Sequence, residues 1–156
     1  MKTDEEYMTY ALEQAKRAKG YYEVPVGAIV VNEEGDIISY GFNLKELLAD
    51  PTGHAEQFAI RRACRELNNW RLTGCTVYVT LEPCIMCAGL MHQARISRCV
   101  FGAYDKKAGG LSSLYQIGQD ERLNHNFEVV GGVCEEQCAK LLTDFFKAKR
   151  HGALLR

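Results

Sequence analysis

Missing from this sequence is any apolar run of the ~18 residues that a membrane-crossing helix needs. Its first residues, Met1-Lys2-Thr3-Asp4-Glu5-Glu6, are acidic and lack the apolar stretch of a secretory signal. Membrane and secreted classes are therefore disfavoured, and the cytoplasm is the expected compartment. Internal repeats, low-complexity tracts and linker-like stretches are also absent, so one continuous domain over residues 1–156 is the economical reading. Net charge is nearly absent as well. Nineteen Lys and Arg against 20 Asp and Glu leave −1, which provides no global pull toward nucleic acid. The seven cysteines cannot all pair within one chain, and without a signal they read as reduced thiols. Clustered thiols in that setting point to metal or catalysis before disulfides.

What remains is an ordinary globular composition, 47% hydrophobic and 25% charged. Thr3 and Glu6 form a capping box, and Met8, Ala11, Leu12, Ala15 and Ala18 continue it as a helical stripe that stops near Gly20. Val26 to Val31 reads as a buried strand that turns through Asn32-Glu33-Glu34-Gly35 into a second around Ile37 to Tyr40. His54 to Leu67 reads as a helix ending at Asn68-Asn69, with Trp70 packed on the core at the junction to a strand over Thr76 to Thr80. A helix over Cys84 to Ala94 opens directly behind Pro83, a favoured place for proline. Cys99 to Gly102 is a short strand, Ser112 to Ile117 a short helix, Phe127 to Val130 a fifth strand, and Cys134 to Arg150 an amphipathic helix. Such alternation predicts a three-layer α/β/α sandwich around a central five-stranded mixed sheet, its last two strands parallel.

Two short clusters carry the chemistry, His54-Ala55-Glu56 and Pro83-Cys84-Ile85-Met86-Cys87. A catalytic zinc takes three protein ligands and keeps one position open for water. One histidine and two cysteines supply that count, and the two thiolates balance the metal charge. Three-residue spacing on a helical first turn lets both sulfurs face one side, where the helix N-terminus favours thiolate. A purely structural zinc knot is the competing reading, but such sites use four protein ligands, commonly two Cys-x-x-Cys pairs. Only one such pair exists here, and a carboxylate lies two residues from the histidine. Cys134 and Cys138, the other neighbouring pair, fit packing on an apolar helix face.

His-x-Glu followed by Pro-Cys-x-x-Cys is the signature of zinc nucleobase deaminases. Beyond it, Glu23-Val24-Pro25-Val26-Gly27-Ala28, Tyr78-Val79-Thr80-Leu81-Glu82-Pro83-Cys84, Phe101-Gly102-Ala103-Tyr104-Asp105, Asn124-His125 and Asp144-Phe145-Phe146 resemble the bacterial tRNA-specific adenosine deaminase family over nearly the whole chain. The resemblance implies a cytidine-deaminase-like fold, with one Zn²⁺ per chain on His54, Cys84 and Cys87 and Glu56 as the proton carrier. It implies hydrolytic deamination of adenosine to inosine at the first anticodon position of a tRNA, usually an arginine tRNA, by a homodimer. By position, Asn43 contacts the flipped base and Asp105 the neighbouring sugar, while Phe145, Phe146 and basic C-terminal residues such as Arg150 shape the RNA groove. Ala55, Pro83 and Lys106 join the expected substrate-binding positions. The chain departs from the family at Gly53, often alanine, at Gln57, commonly apolar, at Leu111, usually small, and at Asn126, often arginine.

Some residues keep two readings. Asn43 is also a good turn former, and His125 is either a polar cap or an RNA contact. Lys106 and Lys107 form either a solvated cluster or a phosphate contact. The stretch from Lys147 to Arg156, with four Lys or Arg and no acid, is either an RNA-facing or a solubilising end. Phe145 and Phe146 cannot share one helix face, so one packs in the core. His92 suits a dipole partner at its helix C-terminus. A deaminase of a free base, nucleoside or nucleotide is the alternative function. A non-catalytic RNA-binding or structural zinc protein is disfavoured by Glu56 and the open ligand position.

Overall fold

The computed structural model describes residues 1–152. Arg156, the last member of the basic stretch, lies outside them. Helix α1 (Asp4–Gly20) begins where the Thr3 hydroxyl accepts the Glu6 N–H at 3.1 Å and the Glu6 carboxylate accepts the Thr3 N–H at 3.2 Å. Its buried side, Met8, Ala11, Leu12, Ala15 and Ala18, is the stripe expected from the sequence. There follow β1 (Gly27–Val31), β2 (Ile37–Phe42), α2 (Ala55–Leu67), β3 (Thr76–Leu81), α3 (Ile85–Gln93), β4 (Arg98–Ala103), β5 (Glu128–Val130) and α4 (Glu135–Arg150).

The strands form one mixed sheet in the order β2-β1-β3-β4-β5. β1 runs antiparallel to both β2 and β3, whereas β3, β4 and β5 are parallel to one another. Helices α1 and α4 contact one face, α2 the other, and α3 packs against α2. This is the expected three-layer sandwich. β1 is buried at all five positions because both faces are covered: Ala28 and Val30 join the core under α2, Ile29 and Val31 the core under α1.

Two strand glycines let the layers approach. A Cβ on Gly27 would collide with the Ala11 carbonyl and the Ala15 N–H of α1, and one on Gly41 with the Ala55 carbonyl of α2. A bidentate pair from Arg98 to Asp4, at 2.8 and 2.7 Å, ties the start of α1 to β4. The Tyr78 hydroxyl donates to the same carboxylate at 2.7 Å. Arg98 beside it, together with that hydroxyl, holds the Asp4 carboxyl below the usual range against its partial burial.

Two local expectations are corrected. Ser112 to Ile117 is a run of turns, not a helix. The N–H groups of Leu111, Ser112 and Ser113 go to the Glu82 carboxylate, and those of Leu114 and Tyr115 return to the Gly109 carbonyl. The Ile117 N–H then goes to the Gly110 carbonyl and not to that of Ser113, so no helical ladder forms. Trp70 is 54% exposed, not packed on the core, with the Arg71 guanidinium 4.2 Å from its ring centre. Asn68 closes α2 in the left-handed conformation, and the buried anchor of that junction is Leu72, bonded through its N–H to the Ala94 carbonyl. Helix α3 opens behind Pro83 as expected, with Cys84 as its N-cap.

Because α2 rests directly on Gly41, Gly41→Ala should cost about 1–3 kcal/mol by overpacking. Gly89→Ala, with open space around its Cβ, should not destabilise. Urea unfolding of both variants checks this, and equal midpoints would contradict the packing account.

Candidate active site

The sheet's topology brings four chain segments to one edge. β1 begins where β2, β3 and β4 end. Val24 and Val26, Asn43, Leu81 to Cys84, and Asp105 therefore converge at the carboxyl ends of the parallel strands, the usual ligand position in such sheets. Both helices that follow open at the same place. His54 is the N-cap of α2 and Cys84 the N-cap of α3, each in extended conformation and neither using its side chain as a cap. The rings and sulfurs are thus free to face one another. His54 Nδ1 lies 3.6 Å from Cys84 Sγ and 3.5 Å from Cys87 Sγ.

One ligand atom from each of the three residues falls within 4.8 Å of the other two, and no other His, Cys, Asp or Glu joins them among the described residues. The Cys84 thiol is pushed down to about 4, chiefly by the Cys87 thiol that donates to it and then by the His54 ring. Cys87 is pushed far up by the same contact and by burial. Contact with Cys84 raises His54, outweighing its desolvation. A donor set of one imidazole and two thiolates, with no fourth protein ligand, fits a catalytic zinc. The remaining five cysteines, Cys64, Cys75, Cys99, Cys134 and Cys138, are free thiols, and Cys138 is packed under β4.

Glu56, two residues into α2, is 3% exposed. Burial pushes its carboxyl up to about 7. A cavity of about 230 Å³ lies over these groups, lined by His54, Ala55, Glu56 and Cys84 at its floor, with Asn43, Asp105, Phe145 and Lys149 among its walls. That is below the ~300–1,000 Å³ of drug-sized pockets and suits a single flat ring system.

A model of the cytidine and deoxycytidylate deaminase zinc-binding region matches residues 1–103. A tRNA-specific adenosine deaminase of Bacillus subtilis is 47% identical over 150 residues, covering 96% of this chain and 92% of its own length. One from Haemophilus influenzae is 46% identical over 147 residues, covering 94% and 85%. The chain belongs to the tRNA-specific adenosine deaminase family of zinc deaminases. A structure solved in a study of A-to-I editing by tRNA:A34 deaminases superimposes with a TM-score of 0.83 at 39% identity, over 88% of this chain and 99% of that one.

Of the positions expected to touch substrate, Asn43, Ala55, Asp105 and Phe145 line the cavity, whereas Pro83, Lys106, Phe146 and Arg150 stand outside its lining. Phe145 is the buried member of its pair and Phe146 is 41% exposed. Asn43 is both a turn former and a wall residue. Its Oδ1 accepts the Lys45 N–H and its Nδ2 donates to the Val24 carbonyl, each at 3.1 Å. Asp105 Oδ1 accepts the N–H groups of Lys107 and Ala108. His125 donates from Nε2 to the Ile96 carbonyl, and His92, in the last turn of α3, donates from Nδ1 to the His125 carbonyl.

Two wall-builders escaped the sequence reading. Glu82, 2% exposed, accepts the N–H groups of Asp105, Leu111, Ser112 and Ser113 and the Ser113 hydroxyl, and so straps the segment after β4 against Cys84. Glu23, 1% exposed, accepts the N–H groups of Glu46 at 3.1 Å and Leu47 at 2.6 Å and shapes the segment after β2. A carboxylate sandwiched between a buried strand and a proline, Leu81-Glu82-Pro83, was the available signal for the first. Lys45 and Tyr22 also line the cavity without having been singled out.

Burial alone would raise the Glu82 carboxyl, but the Ser113 hydroxyl and N–H, with the Asp105 and Ser112 N–H groups, bring it below its usual 4.5. Its contribution is therefore complete above that value and is lost as pH falls through the lowered one. Glu82→Gln should cost about 2–3 kcal/mol near neutral pH, since its amide N–H groups would face donors. Acid titration of unfolding midpoints should show a smaller loss below pH ~4.5 in the variant than in the parent chain; parallel curves would contradict it.

Proposed function

We propose that this chain hydrolyses the 6-amino group of adenosine to give inosine at the first anticodon position of a tRNA, with an arginine tRNA as substrate. The observation that carries the reading is Glu56, buried and uncoordinated beside a three-ligand metal triad at the floor of a base-sized cavity. Zinc held by His54, Cys84 and Cys87 supplies the Lewis acidity that makes water a usable nucleophile near neutral pH.

Glu56 takes a proton from the water attacking C6 and passes it to N1 of the ring. It then carries the proton of the new C6 hydroxyl to the departing amino group, so that the C6–N6 bond breaks and ammonia leaves. A carboxyl raised toward neutrality by burial suits such two-way transfer. C6 is buried by stacking in a helix, so the adenosine must be turned out of its strand to reach the floor of the cavity. Asn43 would meet the purine edge, and Asp105 a 2′-hydroxyl beside it, favouring RNA. Lys149 on the wall, with Lys147 and Arg150 in the same last turns of α4, supports a phosphate-facing role for that end of the helix.

The reading takes the chain as one catalytic unit acting in the cytoplasm as a homodimer. Exposed apolar Ile85, Leu114 and Tyr115 are candidates for covered surface. No helix among the described residues is long and apolar enough to cross a membrane. Because the cavity would also admit a free base, the free-nucleoside deaminase reading is the one to test against.

Glu56→Gln should lower turnover by ~10²–10⁴-fold or more while metal analysis still finds one zinc per chain. A near-normal rate would remove Glu56 from the mechanism. An unmodified arginine-type anticodon stem-loop, its fully paired analogue, its DNA version and free adenosine should be compared by nucleoside analysis. Inosine is expected chiefly from the RNA loop. Equal turnover of free adenosine would assign the chain to the alternative reading.

A further inference from the structure

We infer that Gln57 is a positioning residue that donates an N–H···S hydrogen bond to Cys87 and thereby limits how strongly that thiolate donates to the metal. Gln57 Nε2 lies 3.7 Å from Cys87 Sγ. The glutamine is 8% exposed and Cys87 wholly buried, so no solvent competes for the contact.

The helix start explains why this amide is available. Gln57 is the third residue of α2, where a glutamine normally reaches back to the N–H of the N-cap residue. Here that N–H, on His54, is already held by the Thr52 carbonyl at 2.8 Å. Residues three apart share a helix side, so the Gln57 side chain projects beside the His54 ring toward α3. The only sulfur it meets is Cys87.

The chemical consequence follows from charge. Two thiolates cancel the metal's two positive charges, leaving it a weak Lewis acid unless the sulfurs are themselves stabilised. Both sulfurs lie in the first turn of α3, but Cys84 is only partly buried whereas Cys87 is wholly buried and has no water to stabilise its charge. An amide donor to a sulfur anion is a charge-assisted bond, about twice as strong as a neutral one. It draws electron density off Cys87, and an apolar side chain at this position would leave that sulfur without the bond. Outer partners of metal ligands typically change affinity or activity by ~10–100-fold.

The inference rests on the zinc reading of the triad and not on which adenosine-containing molecule is the substrate. In cobalt-substituted protein, Gln57→Met should move the thiolate-to-cobalt charge-transfer band to longer wavelength, because a more electron-rich sulfur is easier to oxidise. The variant should keep one metal per chain, and kcat on the best substrate should fall ~10-fold with KM nearly unchanged. A band at the parent position overturns the inference, even if the rate falls. Should the variant not fold, the parent chain loaded with cadmium-113 decides: a scalar coupling between the metal and the Gln57 side-chain amide proton is expected, and its absence overturns the inference. A chain that binds no cobalt or cadmium at the triad would instead sink the metal reading. Failure to edit RNA would bear only on the substrate.

Discussion

Two helix N-termini that meet at one edge of the sheet are the constraint on which the rest depends. Each N-cap position, His54 and Cys84, would ordinarily spend its side chain on the first free N–H groups of its own helix. Neither does, and the two groups face each other instead. The unpaired N–H groups and the positive helix ends make the same place favourable for thiolates. Bringing α2 close enough to deliver His54 requires a bare backbone at Gly41, and placing α3 requires β3 to end at Leu81. Layer packing therefore fixes the ligand distances, and the site needs no flexible loop to form it.

Around that floor, three buried carboxylates do different work. Glu23 and Glu82 are consumed by backbone N–H groups and hold the two segments that form the cavity walls. Glu82 has enough such partners to overcome the cost of burial, and its carboxyl lies below the usual range. Glu56 is as deeply buried, but desolvation prevails there and its carboxyl rises. Hydrogen-bond supply thus separates structural carboxylates from the one left free to exchange a proton.

The cavity's size and its walls point the same way as the family. A volume suited to one ring system limits what reaches Glu56 to a single base. Contacts to the remainder of a larger substrate must come from outside it. Phe146, Lys106 and Arg150 stand outside the lining, while Lys149 links the wall to the basic end of α4.

Much of this was legible in the residues. Periodicity placed the four helices and five strands, because α1 has a capping box and a clean apolar stripe and the central strands are covered on both faces. Spacing placed Cys84 and Cys87 on one turn, because local helix geometry determines which side chains share it, and the match to the family's motif added His54 as the third ligand. What sequence could not express was partnership between distant segments. Trp70 looks like core until Leu72 is seen to be the anchor, and Ser112 to Ile117 looks helical until the Ile117 N–H is seen to reach the Gly110 carbonyl. The roles of Glu82, Glu23 and Gln57 exist only through partners 23 to 31 residues away. Ligand identity was determined by sequence because it is a matter of residue type and short spacing. The walls and the donor to Cys87 were decided by tertiary structure, because a buried polar group takes whichever partner the packed layers place beside it.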